Sequence, residues 1–289
     1  MKIAFIGTGL MGYPMAKNLL EKKLAVNIYS RTINKAKPLK KFGARVFNSL
    51  SGAIKEVDII ITMLTDDNAV HSVLGSKEFQ NNIKPSSIVI DMSSINPKTA
   101  IKYHKLLKVR KVHFLDAPVS GGTIGAKEAS LAIMVGGDKK IFNKISSVLK
   151  VMGNPTLVGS VGSGQIAKLA NQIIVGITIG AVAEAIFFCE KAEVDANKFI
   201  KALSGGFADG KILQNHGKRM IDKDFSPKGK VSTHLKDMNN ILNCAHEFKI
   251  QLPISNLIKK MFKSLVDQGN HEDDHSAIYK EIKNINKNL

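Results

Sequence analysis

The chain has 289 residues, 44% of them hydrophobic, and a formal net charge of +18 that comes mostly from lysine. This length suits one large or two ordinary domains with real hydrophobic cores. The lysines are scattered, and 13 Phe, 4 Tyr and no Trp provide no basic patch interleaved with aromatic residues, so we expect no nucleic-acid partner. Steering of small anionic ligands, or a lysine-rich proteome, accounts for the charge equally well.

Two features bear on the compartment. Cys189 and Cys244 are too few and too far apart for a disulfide framework or a zinc site, which fits a reducing compartment. The opening MKIAFIGTG lacks the layout of a signal peptide, because glycines interrupt a very short apolar run. Residues 173–189 are shorter than a usual membrane span and include Glu184, which favours a buried helix. We therefore expect a cytoplasmic protein with no membrane partner.

Strand-like and helix-like segments alternate in the N-terminal half. Apolar, strand-like runs lie at residues 2–7, 25–30, 44–47, 57–64, 86–93, 112–119 and 131–137. Strands that alternate with helices indicate a parallel, doubly wound α/β sheet of the Rossmann type, here over residues 1–162. In such sheets ligands bind beyond the carboxyl ends of the strands.

The first of these strand ends carries a glycine pattern. Gly7, Gly9 and Gly12 form a GxGxxG motif that follows the strand and opens a helix. The first glycine makes a tight turn, the second lets a pyrophosphate approach the backbone, and the third lets helix and strand pack closely. The helix N-terminus then faces the phosphates. We predict a dinucleotide-binding loop that includes Leu10 and Met11; a glycine-rich turn without a ligand is the alternative.

The end of the second predicted strand indicates which dinucleotide binds. NAD-binding units usually have an acidic residue here, which bonds the ribose 2′-hydroxyl. This chain has Ser30, Arg31 and Thr32 instead. A guanidinium suits a 2′-phosphate, and the two hydroxyls can add donors. We therefore predict NADP(H) as the preferred cofactor, with NAD(H) possible if Arg31 only stacks on adenine.

A second glycine-rich loop follows the run at residues 112–119. Ser120, Gly121 and Gly122 offer consecutive backbone N–H groups and a hydroxyl with no side-chain obstruction, which is a good cradle for a substrate carboxylate. An ordinary glycine-rich turn is the alternative.

The second half reads as helical. Residues 163–289 are expected to form an all-helical domain, joined to the first by a long helix over about residues 165–191. That helix is apolar all round, which is typical of a buried helix, yet Lys168, Asn171 and Gln172 share one of its faces. Lys168 is either a lysine whose stem packs while its amine reaches water, or a functional residue at the cleft between the domains.

Several motifs occur in one order along the whole chain: GTGLMG followed by MAKNL, DAPVSGG with IMVGG, GSGQIAKLANQ, THLKDMNNIL and DQGNHEDDHSAI. Together they resemble the β-hydroxyacid dehydrogenase family. That family includes 3-hydroxyisobutyrate dehydrogenases, tartronate semialdehyde reductases and glyoxylate/succinic semialdehyde reductases. The resemblance implies hydride transfer between a nicotinamide cofactor and a small β-hydroxy acid or its semialdehyde.

The resemblance also implies roles for individual residues. Lys168 matches the catalytic lysine, which acts as general acid/base, and Asn171 and Gln172 match amides close to the substrate. The Ser120–Gly122 loop matches the segment that holds the substrate carboxylate. Residues matched to the cofactor site are Met63 and Leu64 along the cofactor, Ser93 and Ser94 near the nicotinamide ribose, and Lys236, with Asp237 beside it. The family further implies a homodimer or homotetramer.

Two departures favour semialdehyde reduction. Arg31 and Thr32 replace the acid of NAD-linked 3-hydroxyisobutyrate enzymes, and Gln172 is the residue found in tartronate semialdehyde reductases. The alternatives are an NAD-linked 3-hydroxyisobutyrate dehydrogenase, a 6-phosphogluconate-type dehydrogenase, or a non-catalytic dinucleotide-binding module such as the nucleosome-associated relatives. We expect no metal ion to be required, and His271 and His275 are interpreted as loop residues that meet solvent or a partner subunit.

Overall fold

The computed structural model describes residues 1–287. The chain forms two compact units, Met1–Lys168 and Leu169–Leu289. The boundary predicted between residues 162 and 163 coincides with the start of the long helix, whereas the compact units divide a few residues inside that helix.

The first unit is built on a nine-stranded sheet. Its first six strands are all parallel, in the order β3-β2-β1-β4-β5-β6, as the alternation of strands and helices predicts. The nine strands are β1 (Lys2–Ile6), β2 (Ala25–Tyr29), β3 (Arg45–Val46), β4 (Ile59–Thr62), β5 (Ile88–Asp91), β6 (His113–Asp116), β7 (Val119–Ser120), β8 (Leu131–Gly136) and β9 (Gly153–Gly159).

Helices connect these strands. A predicted helix after β2 is instead two 3₁₀ turns, Ile33–Lys35 and Lys37–Phe42, and ends at Gly43 with φ of 93°. The α-helices of this unit are α1 (Gly12–Glu21), α2 (Leu50–Ile54), α3 (Asp67–Leu74), α4 (Lys77–Asn82), α5 (Pro97–Val109), α6 (Gly122–Lys127) and α7 (Lys139–Leu149).

Hydrophobic cores lie on both faces of the sheet. In β1, Ile3 and Phe5 belong to one core while Ala4 and Ile6 belong to the other. Side chains alternate between the two faces of a strand, so a strand covered on both sides reads as a continuous apolar run. This is why the central strands are recognisable from the sequence.

The far edge of the sheet differs from the prediction. Residues 112–119 do not form one strand, because β6 ends at Asp116 and β7 begins at Val119. Strand β8 is antiparallel to both of these, and β9 pairs parallel to β8. Strand β9 was not predicted, since it contains Pro155 and its burial alternates.

The second unit is helical. After the long helix α8 (Ser163–Lys191), which begins in the first unit, come α9 (Ala196–Ala202), α10 (Lys218–Ile221), α11 (Val231–Glu247), α12 (Pro253–Asp267) and α13 (Ile278–Ile285). A π-helical segment, Leu213–Gly217, runs directly into α10, and a 3₁₀ turn, His275–Ala277, leads into α13.

Within the single chain, helix α8 is buried on only part of its circumference. Its glycines do pack closely, since a Cβ on Gly176 would lie 2.6 Å from His234 of α11 and one on Gly180 would lie 2.5 Å from Ile258 of α12. Ile174 and Phe188, however, are 66% and 75% exposed in the single chain.

Helix α8 also meets the length and hydropathy criteria for a membrane span. It has a mean hydropathy of 2.0 over 18 residues, of which 39% are buried, so it is long and apolar enough to cross a membrane. Core helices of soluble proteins meet the same criterion.

Candidate active site

The turn after β1 has the geometry that a dinucleotide loop needs. Gly7 adopts a φ of 100° and its N–H donates to the carbonyl of Tyr29 on β2. A Cβ on Gly12 would lie 2.0 Å from the Gly7 carbonyl oxygen, so only glycine lets α1 start this close to the strand. Around Gly9, by contrast, a Cβ would meet nothing within 4 Å. Helix α1 follows its N-cap residue Met11, has no side-chain cap and no acidic residue in its first turn, and so suits an anion.

The segment after β2 is open as well. Arg31 and Thr32 are exposed, and Ser30 is partly buried. Thr32 precedes the first 3₁₀ turn but its side chain does not cap it. Across residues 1–287, no carboxylate forms an ion pair with Arg31. The guanidinium is therefore available to an anionic group.

The side chain of Ser93, predicted near the nicotinamide ribose, is engaged within the protein. It is fully buried, its hydroxyl donates to Oδ1 of Asp91 at 2.6 Å, and its Oγ accepts from the backbone N–H of Leu64 at 2.9 Å. Both functions of the hydroxyl are thus used inside the protein. Ser93 fastens the loop after β4, with Met63 and Leu64, to the loop after β5. Ser94 is only partly buried, so it is the better placed of the two serines to contact a cofactor.

Two buried carboxyl groups lie side by side at the ends of β5 and β6. Asp91 and Asp116 are paired in the register of these parallel strands, and both are fully buried. Burial raises the pKa of each to about 6, against hydrogen bonds that favour the charged form. For Asp91 those bonds come from Thr62 and Ser93, and the charge of Asp116 raises its pKa further.

Asp116 anchors the start of helix α8. Its carboxylate accepts from the backbone N–H of Gly162 at 2.7 Å and of Gln165 at 2.8 Å, where a helix N-terminus favours negative charge. The buried Gln165 side chain donates to the carbonyl of Ser93 and accepts from the N–H of Ile95. The first turn of α8 is therefore tied to the ends of β5 and β6. Lys168, 9% exposed, follows one turn later.

The loop between β7 and α6 presents open backbone. Gly121 and Gly122 have φ of 133° and 60°, a region that side chains rarely adopt. A Cβ on Gly122 would meet nothing within 4 Å, and both glycines are exposed. Ser120 pairs with Ala132 of β8, which fixes the start of the loop. This arrangement can receive a carboxylate at Ser120 and the two glycines.

Polar side chains in the second unit are bonded to one another. Asn171 donates to Oε1 of Gln172 at 2.8 Å, and Gln172 donates to Oδ2 of Asp237 at 2.6 Å. Lys236 lies 3.3 Å from Oδ1 of the same carboxylate. Gln172 and Asp237 are buried, whereas Asn171 and Lys236 are partly exposed. Both ends of the Gln172 amide are therefore engaged within the chain, and the place of Asn171 and Gln172 close to the substrate stays a prediction.

Some residues of these networks were missed by the sequence reasoning. Asp91 and Asp116 stand in the segments DMSS and DAPVSGG, so their place at predicted strand ends could have indicated them. Gln165 had no such signal. His275 was interpreted as a loop residue, but it lies in a 3₁₀ turn and contacts His216 and His234, while His271 is exposed.

Comparisons with known proteins identify the family of this chain. A family model described as the NAD binding domain of 6-phosphogluconate dehydrogenase matches residues 2–168. Another, described as NAD-binding of NADP-dependent 3-hydroxyisobutyrate dehydrogenase, matches residues 162–282. The chain is 38% identical to the 2-hydroxy-3-oxopropionate reductase of Escherichia coli K12, over 98% of this chain and 97% of that one. The chain belongs to the β-hydroxyacid dehydrogenase family.

Further relatives extend the similarity. A probable 3-hydroxyisobutyrate dehydrogenase-like protein of Arabidopsis thaliana is 31% identical, over 99% of this chain and 86% of that one. A 3-hydroxyisobutyrate dehydrogenase of Mycobacterium tuberculosis, solved with L-serine, superimposes with a TM-score of 0.88 at 27% identity, over 98% and 99% of the two chains. The resemblance seen in the motifs is thus confirmed. The protein is an NAD(P)-dependent β-hydroxyacid dehydrogenase with the expected α/β fold and helical C-terminal part.

Proposed function

We propose that this β-hydroxyacid dehydrogenase interconverts a small semialdehyde that carries a carboxylate and its β-hydroxy acid, with NADP(H) as cofactor. The similarity to 2-hydroxy-3-oxopropionate reductase along nearly the whole of both chains is the observation that carries this proposal. Gln172 and the exposed Arg31 support the reductase assignment from within the sequence.

The residues at the first βα turn fit a dinucleotide. Gly9 offers open space at the backbone, and the uncapped start of α1 offers N–H groups to the phosphates. The bound cofactor supplies or accepts the hydride at the substrate carbonyl carbon. Met63, Leu64, Ser94 and Lys236 complete the proposed set of cofactor contacts, with Ser93 holding the two loops together behind them.

Lys168 is the proposed general acid. As the carbonyl carbon gains a hydride, its oxygen gains negative charge and takes a proton from the Lys168 ammonium, which leaves a neutral amine. In the oxidative direction the neutral amine removes the hydroxyl proton. The first turn of α8, pinned by Asp116 and Gln165, holds the helix that carries the lysine. Gln172 and Asp237 position Asn171 one turn further on.

The loop at Ser120, Gly121 and Gly122 is the proposed carboxylate cradle. Its two glycines have conformations that leave backbone N–H groups unobstructed, and Ser120 adds a hydroxyl donor. A carboxylate held there distinguishes a semialdehyde acid from a plain aldehyde, because a neutral analogue leaves those donors unpaired.

Arg31 is the proposed determinant of cofactor choice. It is exposed at the end of β2, with Ser30 and Thr32 on either side, and its guanidinium can bond a 2′-phosphate in a fork. The main competing function is an NAD-linked 3-hydroxyisobutyrate dehydrogenase; the relatives from Arabidopsis and Mycobacterium carry the name of that substrate, without a cofactor.

Assembly into a homodimer or homotetramer is part of the proposal. Exposed apolar side chains of α8 lie beside a groove of 890 Å³ in the second unit, lined by Phe188, Leu257 and Ile285 among others. Apolar side chains that are contiguous on a surface support an interaction with another protein surface. Cys189 and Cys244 are both buried and neither is in a disulfide, which supports a reducing, cytoplasmic setting.

One panel experiment tests the function. NADPH and NADH oxidation is followed with tartronate semialdehyde, succinic semialdehyde and glyoxylate, and NADP⁺ and NAD⁺ reduction with glycerate, 4-hydroxybutyrate and 3-hydroxyisobutyrate. We expect the highest kcat/KM with a semialdehyde acid and NADPH. Highest efficiency with 3-hydroxyisobutyrate and NAD⁺ would establish the competing function, and no turnover with any pair would favour the non-catalytic alternative.

A further inference from the structure

Three histidines from separate segments meet inside the second unit. His216 lies in the π-helical segment Leu213–Gly217, His234 in the first turn of α11, and His275 in the 3₁₀ turn before α13. The Nε2 atoms of His216 and His275 are 2.8 Å apart, and the Nδ1 atoms of His275 and His234 are 3.3 Å apart. π-Helical turns occur frequently at functional sites.

A fixed carboxylate completes this group. Asp274 is 1% exposed, and its Oδ2 accepts from the backbone N–H of Gly229 at 2.9 Å while its Oδ1 accepts from the hydroxyl of Ser276 at 2.7 Å. The Nε of Arg219 lies 3.5 Å from Oδ1. One ligand atom each from His216, Asp274 and His275 lies within 4.8 Å of the other two.

The ligand atoms suit a cation. The Nε2 atoms of His216 and His275 lie 2.8 Å apart, so an ion placed there would meet one nitrogen from each ring. Neutral imidazole is the form that ligates metals. Two imidazole nitrogens and one carboxylate oxygen favour Zn²⁺, Co²⁺ or Ni²⁺ over Mg²⁺ and Ca²⁺, which take oxygen ligands.

We propose that His216, His275 and Asp274 form a binding site for a borderline divalent cation such as Zn²⁺, separate from the residues assigned to hydride transfer. In a tetrahedral zinc site, zinc–nitrogen bonds of about 2.0–2.1 Å place neighbouring ligand atoms roughly 3.3 Å apart. This distance lies between the 2.8 Å that separates the two Nε2 atoms and the 4.8 Å within which all three ligand atoms lie. The two imidazoles must therefore part by about half an ångström, and the ion takes the place of the proton they share. Arg219 stays beside the carboxylate as an outer partner.

Such an ion would cross-link the second unit. His216 belongs to the helix that leads into α10, and Asp274 and His275 belong to the segment that leads into α13. The two segments are almost 60 residues apart in sequence, so only the folded unit brings the three ligands together to bind the ion. Binding to the folded state alone must raise the thermal stability of the unit. The partly exposed His216 gives the ion a route from solvent and leaves a fourth coordination position for water.

The test uses the whole chain, first freed of metal with a chelator. Thermal unfolding is measured with and without Zn²⁺ for the wild type, His216→Asn and His271→Asn, the last being a matched control in an exposed part of the same C-terminal region. With Zn²⁺ at a hundred times Kd we expect the Tm of the wild type and of His271→Asn to rise by roughly 5–10 °C. We expect little or no rise for His216→Asn.

Co²⁺ provides a second measurement that does not depend on the folding of a variant. Stoichiometric Co²⁺ should give visible d–d bands typical of nitrogen and oxygen ligands in the wild type. An equal Zn²⁺ effect in wild type and His216→Asn overturns the proposal, as does the absence of cobalt bands. Near-ultraviolet charge-transfer bands would place the ion on Cys189 or Cys244 and overturn it as well.

Discussion

The two units use their polar groups differently. In the first, the groups at the carboxyl ends of the strands are open: backbone at Gly9 and Gly122, and the exposed guanidinium of Arg31. In the second, polar side chains are bonded to one another, as in the series from Asn171 to Gln172 to Asp237. Open donors can bind a ligand at once, whereas paired groups hold a neighbour in place.

Buried carboxyl groups sharpen this difference. Asp91 and Asp116 in the first unit have neutral donors as partners, and burial raises the pKa of both to about 6. Asp237 and Asp274 in the second unit each lie beside a cationic side chain, Lys236 and Arg219 respectively. The first arrangement keeps a proton within reach near neutral pH. For Asp274, His275 and the hydrogen bonds from Gly229 and Ser276 lower the pKa against the effect of burial and favour the charged form. Substitutions in each unit should therefore fail in different ways.

The largest effect is expected at Lys168. Lys168→Ala removes the proposed proton donor, while the loops that hold the cofactor lie on other elements. We expect turnover to fall by about two to four orders of magnitude, the usual contribution of a positioned acid or base. Steady-state kcat is the measurement, with NADPH binding followed by fluorescence to show that the cofactor still binds.

Lys191→Ala is the matched control for that variant. Lys191 ends the same helix and is exposed. Its loss should leave kcat within a small factor of the wild type. If Lys168→Ala also turned over at a near-normal rate, the assignment of the general acid would be wrong.

A pH-dependent stability effect is expected for Asp91→Asn. The folded-state pKa of Asp91 is raised by burial to about 6, above its unfolded value, so its contribution to stability is present below about pH 4 and is lost as pH rises through 6. Asparagine has no proton to lose. Between pH 4 and pH 7 the unfolding free energy of the wild type should fall relative to the variant by on the order of 3 kcal/mol.

Denaturant unfolding of both proteins at several pH values measures this difference. Asp58→Asn is a control of opposite sign, because a backbone hydrogen bond from Lys2 lowers the pKa of Asp58. Stability from Asp58 is present above the unfolded pKa and is lost as pH falls. A difference between the wild type and Asp91→Asn that did not vary with pH would contradict the account of the paired carboxyl groups.

The first unit could be predicted from the sequence in most respects. Strands β1, β4 and β5 are buried on both faces, so they appear as short apolar runs between glycine-rich turns. Strand β9 escaped because its exposed and buried residues alternate around Pro155. The antiparallel direction of β8 could not be predicted from the sequence, because strand pairing at the sheet edge depends on tertiary contacts.

The site was predictable only where a motif places its residues close together in sequence. The GTGLMG and Ser120–Gly122 loops are local, and their open geometry follows from the glycines. The Ser93 hydroxyl donates to the nearby Asp91, but it also accepts from the backbone N–H of Leu64, 29 positions away in sequence. His216 and His275 are separated by 59 positions, and no periodicity brings such pairs together.

An effect of intermediate size is expected at the open loop of the first unit. Ser120→Ala removes one donor to the substrate carboxylate, and a hydrogen bond to a charged group contributes about 1.5–3 kcal/mol, or roughly ten- to a hundredfold in kcat/KM. Gly122→Val should do more harm, since its φ of 60° is strained for a side chain. Kinetics on a semialdehyde acid and on the neutral aldehyde of equal length measure the effect.

The neutral aldehyde and Ser130→Ala serve as controls. The neutral compound should be a poor substrate and nearly indifferent to Ser120→Ala, because it has no carboxylate to lose. Ser130, at the other end of the same connection, should tolerate alanine. Equal efficiency of the wild type on the acid and its neutral analogue would show that the loop is only a turn.

The smallest effect is expected at Arg31, where contact with the cofactor is exposed to solvent. Arg31→Asp should shift the ratio of kcat/KM values from NADPH toward NADH, because a carboxylate repels a 2′-phosphate and accepts from a 2′-hydroxyl. An exposed charge contact is worth about 1 kcal/mol, so each efficiency should change by roughly five- to tenfold. Arg45→Asp is the control, because Arg45 on β3 is also exposed and the variant makes the same change of charge elsewhere. Comparison of the two variants distinguishes a local contact with the cofactor from the effect of the protein's overall charge. A wild type that already prefers NADH, or an equal shift in both variants, would mean that Arg31 does not recognise the phosphate.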